Sequence, residues 1–401
     1  MIKRELYMNR IRPFMGTELI KVIRRCGKSV MLELIKQELS ESGICPSQFI
    51  SVNFEDMRYT HLQTAVALHD EITQRAAAIE GKIYLFFDEI QEVKDWEKCI
   101  NSLRLSLNCD IYITGSNARL LSGELATYLG GRYVEFVIYP FSFAEFIELY
   151  RLTAPEEPVA KCFQKYILSG GMPYLANLHY ADAPSKQYLC DLFNSVQLKD
   201  IVQRNKIRDA DLLERIITYV MSGIGTPFSA SSLAKFFKHE QRTVAPETIL
   251  NYLRYCCDAY LFYPVKREDL QGKQLLASTE KYYVADHGVR EAVFGGNTKD
   301  INLILENIIY LELLRRSYDV YVGKVDSFEV DFVAQNQDGN HYYQVALTVR
   351  EEATLNRELR PLRMLQDDYP KVVLTMDDDP PRDIDGIKIL NARDWLLDLK
   401  Q

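Results

Sequence analysis

Three consecutive residues, Gly27-Lys28-Ser29, supply the parts needed to grip a polyphosphate. The glycine lets backbone N–H groups approach an anion, the lysine reaches the β- and γ-phosphates, and the serine hydroxyl serves as a ligand to Mg²⁺. About sixty residues later, Asp88-Glu89 offers two carboxylates. Asp88 suits a hold on Mg²⁺, and Glu89 suits polarising an attacking water. Ser116-Asn117 adds a third polar group; Asn117 either hydrogen-bonds the γ-phosphate or the attacking water, or caps a helix from Arg119 to Leu129. Arg132, after Gly130-Gly131, is a candidate arginine finger, a group that contributes about 10³–10⁵ in rate where it operates. Arg24, Arg25 and Cys26 complete the candidate phosphate loop, and the two arginines are placed to touch phosphate or a neighbouring subunit.

These groups require particular elements beneath them. A β-branched segment from Ile20 to Ile23 runs into Gly27-Lys28-Ser29 and then into an amphipathic run with Leu32, Ile35 and Leu39 on one helical face. Strand, loop, helix is the context in which Gly-Lys-Ser acquires meaning, because the helix start presents N–H groups and a positive dipole end to an anion. The full pattern places a glycine five residues before Gly27, where this chain has Val22. A β-branched residue resists the positive φ and close approach of the first turn, so the loop is expected to be altered in its first half. Ile83 to Phe87 is apolar without alternation, as in a strand buried on both faces. Phe49–Phe54, Asp110–Thr114 and Tyr133–Val137 read as further strands, with Leu62–Ile79 and Trp96–Leu107 as helices. Such alternation predicts an α/β fold, a doubly wound parallel sheet with its ligand at the strands' C-terminal ends.

The composition sets bounds. At 401 residues the chain has room for about two to four domains. Its net charge of −8 argues against coating nucleic acid by bulk charge, while leaving room for a local basic patch. No apolar run approaches a membrane span, and the N-terminus lacks the apolar core of a signal peptide. Eight scattered cysteines, with no Cys-x-x-Cys, suit reduced thiols and a cytoplasmic location. The six histidines show no zinc-like grouping.

In the second half, Ser142 and Glu145 have the spacing of a capping box, and Pro155-Glu-Glu-Pro158 reads as a boundary. From Val159 to about Asn205 the pattern is helical, broken at Ser169-Gly-Gly-Met-Pro173, and reads as a lid over the nucleotide edge. Helices at Asp211–Met221, after Ser229 and from Pro246, followed by strands at Leu261–Val265 and Lys281–Ala285, describe a winged helix-turn-helix. Thr248, Asn251 and Arg254 would lie outermost on its third helix and face DNA; docking of a protein is the alternative. Beyond it come a helix (Ile301 to Arg316), strands at Val320–Gly323, Phe328–Val333 and Tyr342–Leu347, a helix from Glu351 to Leu365, and the strand Val372–Thr375.

The segments Arg-Arg-Cys-Gly-Lys-Ser, Phe-Phe-Asp-Glu-Ile-Gln-Glu-Val, Ile-Thr-Gly-Ser-Asn-Ala and Tyr-Pro-Phe-Ser-Phe-Ala-Glu-Phe together resemble a broad family of prokaryotic AAA-type P-loop ATPases. Members of that family carry a winged helix and a small α/β restriction-endonuclease-like domain in the second half. The resemblance implies binding and hydrolysis of ATP with Mg²⁺. It divides the chain into an ATPase domain at 1–150, a helical lid at 151–205, a winged helix at 206–290 and a nuclease-like domain at 295–401. Where the family has a Thr-Gly-Val-like insertion, this chain passes directly from Ile23 to Arg24. The last domain is similar to the PD-(D/E)xK nuclease core, in which a helical Glu, a strand Asp and a Glu/Gln-x-Lys hold a metal and activate water. Glu306, Asp331 and Gln344 match by position, and Ala346 stands where the lysine belongs, which implies a retained fold with little or no cleavage. The expected function is an ATP-binding, nucleotide-dependent switch with nucleotide and a DNA or protein partner and no membrane; the alternative is a nucleic-acid-binding or nuclease-like protein with a relic ATPase domain.

Overall fold

Six consecutive buried residues, Ile83–Asp88, form the strand around which the N-terminal part is built. In the computed structural model, residues 2–115, 129–270, 272, 274–295 and 300–398 are described. The chain divides into two compact units, Met1–Tyr139 and Pro140–Gln401.

The first unit holds five strands: β1 (Ile20–Arg25), β2 (Phe49–Asn53), β3 (Ile83–Asp88), β4 (Cys109–Gly115) and β5 (Tyr133–Ile138). They lie in the order β2-β3-β4-β1-β5, and every pairing is parallel. Side chains alternate across a strand, and β3 shows the result. Ile83, Leu85 and Phe87 enter one core with Leu68, Ile72, Ile100 and Leu103; these lie on α3 (Ala65–Ala76) and α4 (Trp96–Ser106). Tyr84 and Phe86 enter the opposite core, with Tyr7 and Ile11 of α1 (Glu5–Ile11) and Leu32, Ile35 and Leu39 of α2 (Lys28–Glu41). An apolar run without alternation thus signals a sheet with helices on both faces. A charged pair is fully enclosed within this sheet: Lys21 donates to Asp110 with both side chains fully buried, and Asp110 also accepts from the Gly16 N–H at 2.6 Å. Desolvation, the largest influence, lowers the Lys21 pKa against the opposing pull of Asp110.

The second unit begins one residue after Tyr139. Arg315, only 1% exposed, donates to the Pro140 carbonyl at 3.1 Å, and the Phe141 N–H donates to Gly171 O at 2.7 Å. These contacts draw α5 (Phe143–Thr153), with its capping box of Ser142 and Glu145, into the second unit, so the division falls before residue 150. Gly170, at φ 74°, allows this crossing; a Cβ there would meet Asp286 Oδ1 at 2.2 Å. Next in the chain are helices α6 (Val159–Ser169) and α7 (Asp182–Ser195), the latter running into a π-helical stretch, Val196–Gln203.

Three helices, α8 (Ala210–Ser222), α9 (Ala230–His239) and α10 (Pro246–Asp258), precede a hairpin of β6 (Phe262–Asp269) and β7 (Gln274–Val284). The hairpin is continuous with the strands of the C-terminal part. After α11 (His287–Phe294) and α12 (Ile301–Arg315), the strand β8 (Asp319–Val325) pairs in parallel with β6 from Arg267 to Asp269. A single mixed sheet of eight strands results. It continues through β9 (Phe328–Asn336), β10 (Gly339–Ala346), β11 (Lys371–Thr375) and β13 (Ile387–Asn391), with β12 (Asp383–Ile384) at the edge. The expected break between residues 290 and 295 is therefore bridged by backbone hydrogen bonds. Against this sheet pack α12, α13 (Glu352–Arg363) and α14 (Ala392–Leu397).

Candidate functional site

Parallel register brings the strands' C-terminal ends together in the first unit. Asn53 lies opposite Asp88, Phe87 opposite Ile113, and Gly115 opposite Arg24. The polar residues that end those strands form one hydrogen-bonded group. The Asp88 carboxylate accepts from the Ser29 hydroxyl at 2.6 Å, from Asn53 Nδ2 at 3.3 Å and from the Thr114 hydroxyl. Thr114 Oγ1 also accepts from the Glu89 N–H at 3.0 Å. Lys28 Nζ lies 2.8 Å from Glu89 Oε1, and Gln91 donates to the other Glu89 oxygen. Both acids are 7% exposed.

The loop is short. β1 extends to Arg25 and α2 starts at Lys28, so Cys26 and Gly27 alone separate strand from helix. Arg25 at φ 75° and Gly27 at φ 72° supply the left-handed turns that reverse the chain. Val22 is not in the loop; it is a mid-strand core residue opposite Glu135. Arg24 and Arg25 are likewise strand residues, drawn into β1 by pairing with Val137 and Ile138. Arg24 Nη1 lies 2.7 Å from Glu135 Oε1, and the Arg25 guanidinium sits 5.3 Å from the Tyr139 ring centroid. The Cys26 N–H donates to Ile138 O, and so belongs to the sheet rather than to an anion cradle.

Lys28, Ser29, Asp88 and Glu89 thus come together. Arg132 does not join them. Its carbonyl accepts from the Ile20 N–H, so it lies at the entrance of β1 and β5, the opposite end of a parallel sheet from the loop. There it is exposed, with Nη1 3.1 Å from Asn101 Oδ1. Ser116, Asn117 and Arg119 lie outside the described residues. Sequence reasoning passed over Thr114, Asn53 and Gln91. The available signal was a polar residue at the C-terminal end of an apolar strand.

In the second unit, Glu306 on α12, Asp331 on β9 and Gln344 on β10 also converge. The Asp331 N–H donates to Gln344 Oε1 at 3.3 Å, and Asp331 Oδ2 accepts from the Val345 N–H at 2.8 Å. Burial, followed by the Glu306 charge, raises the Asp331 pKa well above the usual aspartate value. Among the described residues, no three His, Cys, Asp or Glu side chains are arranged to hold a metal ion. Of the basic residues near the three helices and hairpin, Arg242 is held by Asp209 at 2.6 Å and Arg267 by Glu329 at 3.0 Å.

Residues 18–147 match a family model described as an AAA domain, and residues 160–300 match a domain of unknown function, DUF8612. An uncharacterized protein of Haemophilus influenzae is 38% identical over 401 residues, covering 99% of each chain. The chain belongs to the family of that protein. The AAA-domain match runs from just before β1 into the first residues of α5. A second relative, the uncharacterized protein MJ1544 of Methanocaldococcus jannaschii, is 29% identical over 344 residues, 83% of this chain and 74% of that one. Among solved structures, Aeropyrum pernix ORC1 in complex with DNA aligns at 12% identity and a TM-score of 0.36, over 72% of this chain and 91% of that one. Thermotoga maritima RuvB, a Holliday junction branch migration motor, aligns at 14% and 0.35, over 65% and 89%. Neither likeness extends to function at these values. No described helix is long and apolar enough to cross a membrane.

Proposed function

We propose that the first unit binds Mg-ATP and hydrolyses it, using the binding state as a switch for the rest of the chain, in the cytoplasm. The observation that carries this reading is the pair of contacts Ser29–Asp88 and Lys28–Glu89 at the mouth of α2. A serine hydroxyl and a carboxylate are the hard oxygen donors that suit Mg²⁺, so Ser29 and Asp88 would hold the ion. When bound, that ion neutralises phosphate charge. Lys28 exchanges the Glu89 carboxylate for the β- and γ-phosphates, beside the first N–H groups of α2. Glu89, released from the lysine, takes a proton from water as the water oxygen bonds to the γ-phosphorus and the bridging bond to ADP breaks. Thr114, which touches both Asp88 and the Glu89 backbone, positions the two acids.

Calorimetric titration with ATP, with and without Mg²⁺, tests this. The expected result is Mg-dependent binding by the parent and its loss in Lys28→Ala; equal affinity in the two proteins would end the assignment. Insertion of Thr-Gly-Val after Ile23 adds a second arm. If only the lengthened protein binds ATP, the parent's short loop is a relic.

A second reading assigns α8 to α10 and the hairpin to a winged helix that contacts DNA, and the last strands to a nuclease-like fold. The order of elements supports it, together with Asn251 and Arg254 exposed on α10. Absence of DNA affinity at low salt would remove it.

A further inference from the structure

We propose that the Lys281 ammonium is the resident cation of the carboxylate cluster in the second unit, in the place that a nuclease core would give to a divalent metal. Lys281 projects from β7 and is 2% exposed. Its Nζ lies 3.1 Å from Glu306 Oε1 and 2.8 Å from Glu329 Oε1, so one ammonium bridges a helix and a strand. Tyr283, two residues along the same strand, donates to Glu306 Oε1 at 2.5 Å. The oxygen facing the cluster therefore already has a cationic and a neutral donor.

The remaining groups complete the balance. Arg267 holds Glu329 from the neighbouring strand β6. Asp331 has one oxygen on the Val345 N–H, and burial together with Glu306 favours its protonated form. Lys281 and Arg267 are thus paired with Glu306 and Glu329, while Glu358 adds to the charges that favour the protonated form of Asp331. A divalent ion entering this cluster would have to expel a buried ammonium that is already hydrogen-bonded, and leave it with no carboxylate. That exchange is costly in an enclosed site. Ala346, 5% exposed on β10, adds no cation of its own. The lysine absent from β10 has a counterpart here on the hairpin, in contact with Glu306, one of the residues that a metal would use, and with Glu329 beside it. The same ammonium ties β7 to α12 and β9, so the hairpin is fastened to the cluster by charge as well as by backbone pairing.

The test uses the full chain without nucleotide. Mn²⁺ binding is measured by calorimetry and thermal shift in the parent, Lys281→Ala, Lys281→Arg and Glu306→Gln. The parent and Lys281→Arg are expected to ignore millimolar Mn²⁺ at this cluster, giving the same titration as Glu306→Gln. Lys281→Ala should melt several degrees lower and be restored by Mn²⁺, with the restoration lost when Glu306→Gln is added. Should Lys281→Ala fail to fold even with Mn²⁺, the parent's titration decides. Mn²⁺ binding by the parent that disappears in Glu306→Gln overturns the proposal. Metal-dependent DNA cleavage by the parent that is lost in Lys281→Arg also overturns it, because Lys281 would then be a catalytic lysine beside a metal.

Discussion

Two lysines of this chain each sit against glutamate, and they are built for opposite purposes. Lys28 opens a helix at a loop, with its side chain 14% exposed and its partner Glu89 on a left-handed residue just past a strand end. Lys281 lies inside a strand with its side chain 3% exposed, between two glutamates and beside a tyrosine that shares one of them. A cation at a helix N-terminus opposes the dipole, which disfavours it by about 0.3–1 kcal/mol. Lys28 is therefore poised to trade its carboxylate for an anion that the helix end also favours. Lys281 has no such alternative. An ion pair at a site's mouth can exchange partners, whereas one enclosed between layers fixes the layers.

The largest expected effect tests the exchangeable pair. Glu89→Gln removes the group that accepts the water's proton and should slow hydrolysis by about 10²–10⁴-fold. It also frees Lys28 from a charged competitor, so ATP affinity should hold or rise. Steady-state turnover and calorimetry read the two quantities separately. A loss of affinity that parallels the loss of rate would mean that Glu89 is structural and that the two lysines are alike after all.

Stability should separate the pairs next. Removing one member of a buried pair leaves the other charge uncompensated and costs about 3–5 kcal/mol. Lys281→Ala should fall in that range by chemical denaturation, and its ATP affinity should not change. Lys28→Ala loses a contact but relieves the helix dipole, so the two contributions offset to within about 1 kcal/mol. Equal destabilisation of the two variants would erase the distinction.

Asp331 sharpens the description of the enclosed cluster. Burial and Glu306 raise its pKa, so the folded chain retains a proton that the unfolded chain releases above about pH 4. As pH rises through that interval, the unfolded state binds fewer protons than the folded one, and folded stability falls. Asp331→Asn keeps an oxygen for the Val345 N–H and removes this penalty. Its melting temperature should match the parent's in acid and exceed it increasingly toward alkaline pH. A gain that shrinks with rising pH would show that Asp331 is an ionised partner of Lys281.

How much of this was legible in the sequence depends on range. The run from Ile83 to Phe87, the amphipathic helix with Leu32, Ile35 and Leu39, and the polar strand ends are local patterns, and each marks an element or a site residue. The loop's true length was not, because Arg24 and Arg25 become strand residues only through pairing with Val137 and Ile138. Arg132 looked available as an arginine in a turn; its distance from the loop depends on β5 lying parallel to β1. That the hairpin also joins the later strands was not legible, because nothing local announces that Arg267–Asp269 will pair with β8. Lys281 carried no signal at all. A lysine beginning a strand reads as exposed, and its carboxylates lie 25 and 48 residues away in the chain, a separation that only the folded sheet closes.

The smallest effect concerns the turn that holds Lys28 in place. Gly27 sits at φ 72°, and the nearest atom to an added Cβ is Arg4 Nη1 at 3.8 Å, an ordinary contact. The cost of Gly27→Ala is therefore conformational, about 1–2 kcal/mol for a left-handed alanine. Arg25, also left-handed, should respond differently. Arg25→Gly removes that strain and gives up a guanidinium–tyrosine contact worth about 0.5–1 kcal/mol, leaving a net change near zero. Denaturant midpoints of the two variants measure the difference. If Gly27→Ala costs nothing, the backbone does not set the loop's shape; the Lys28–Glu89 pair would then be holding the turn, and it could not be released to a phosphate without disturbing the strand beneath.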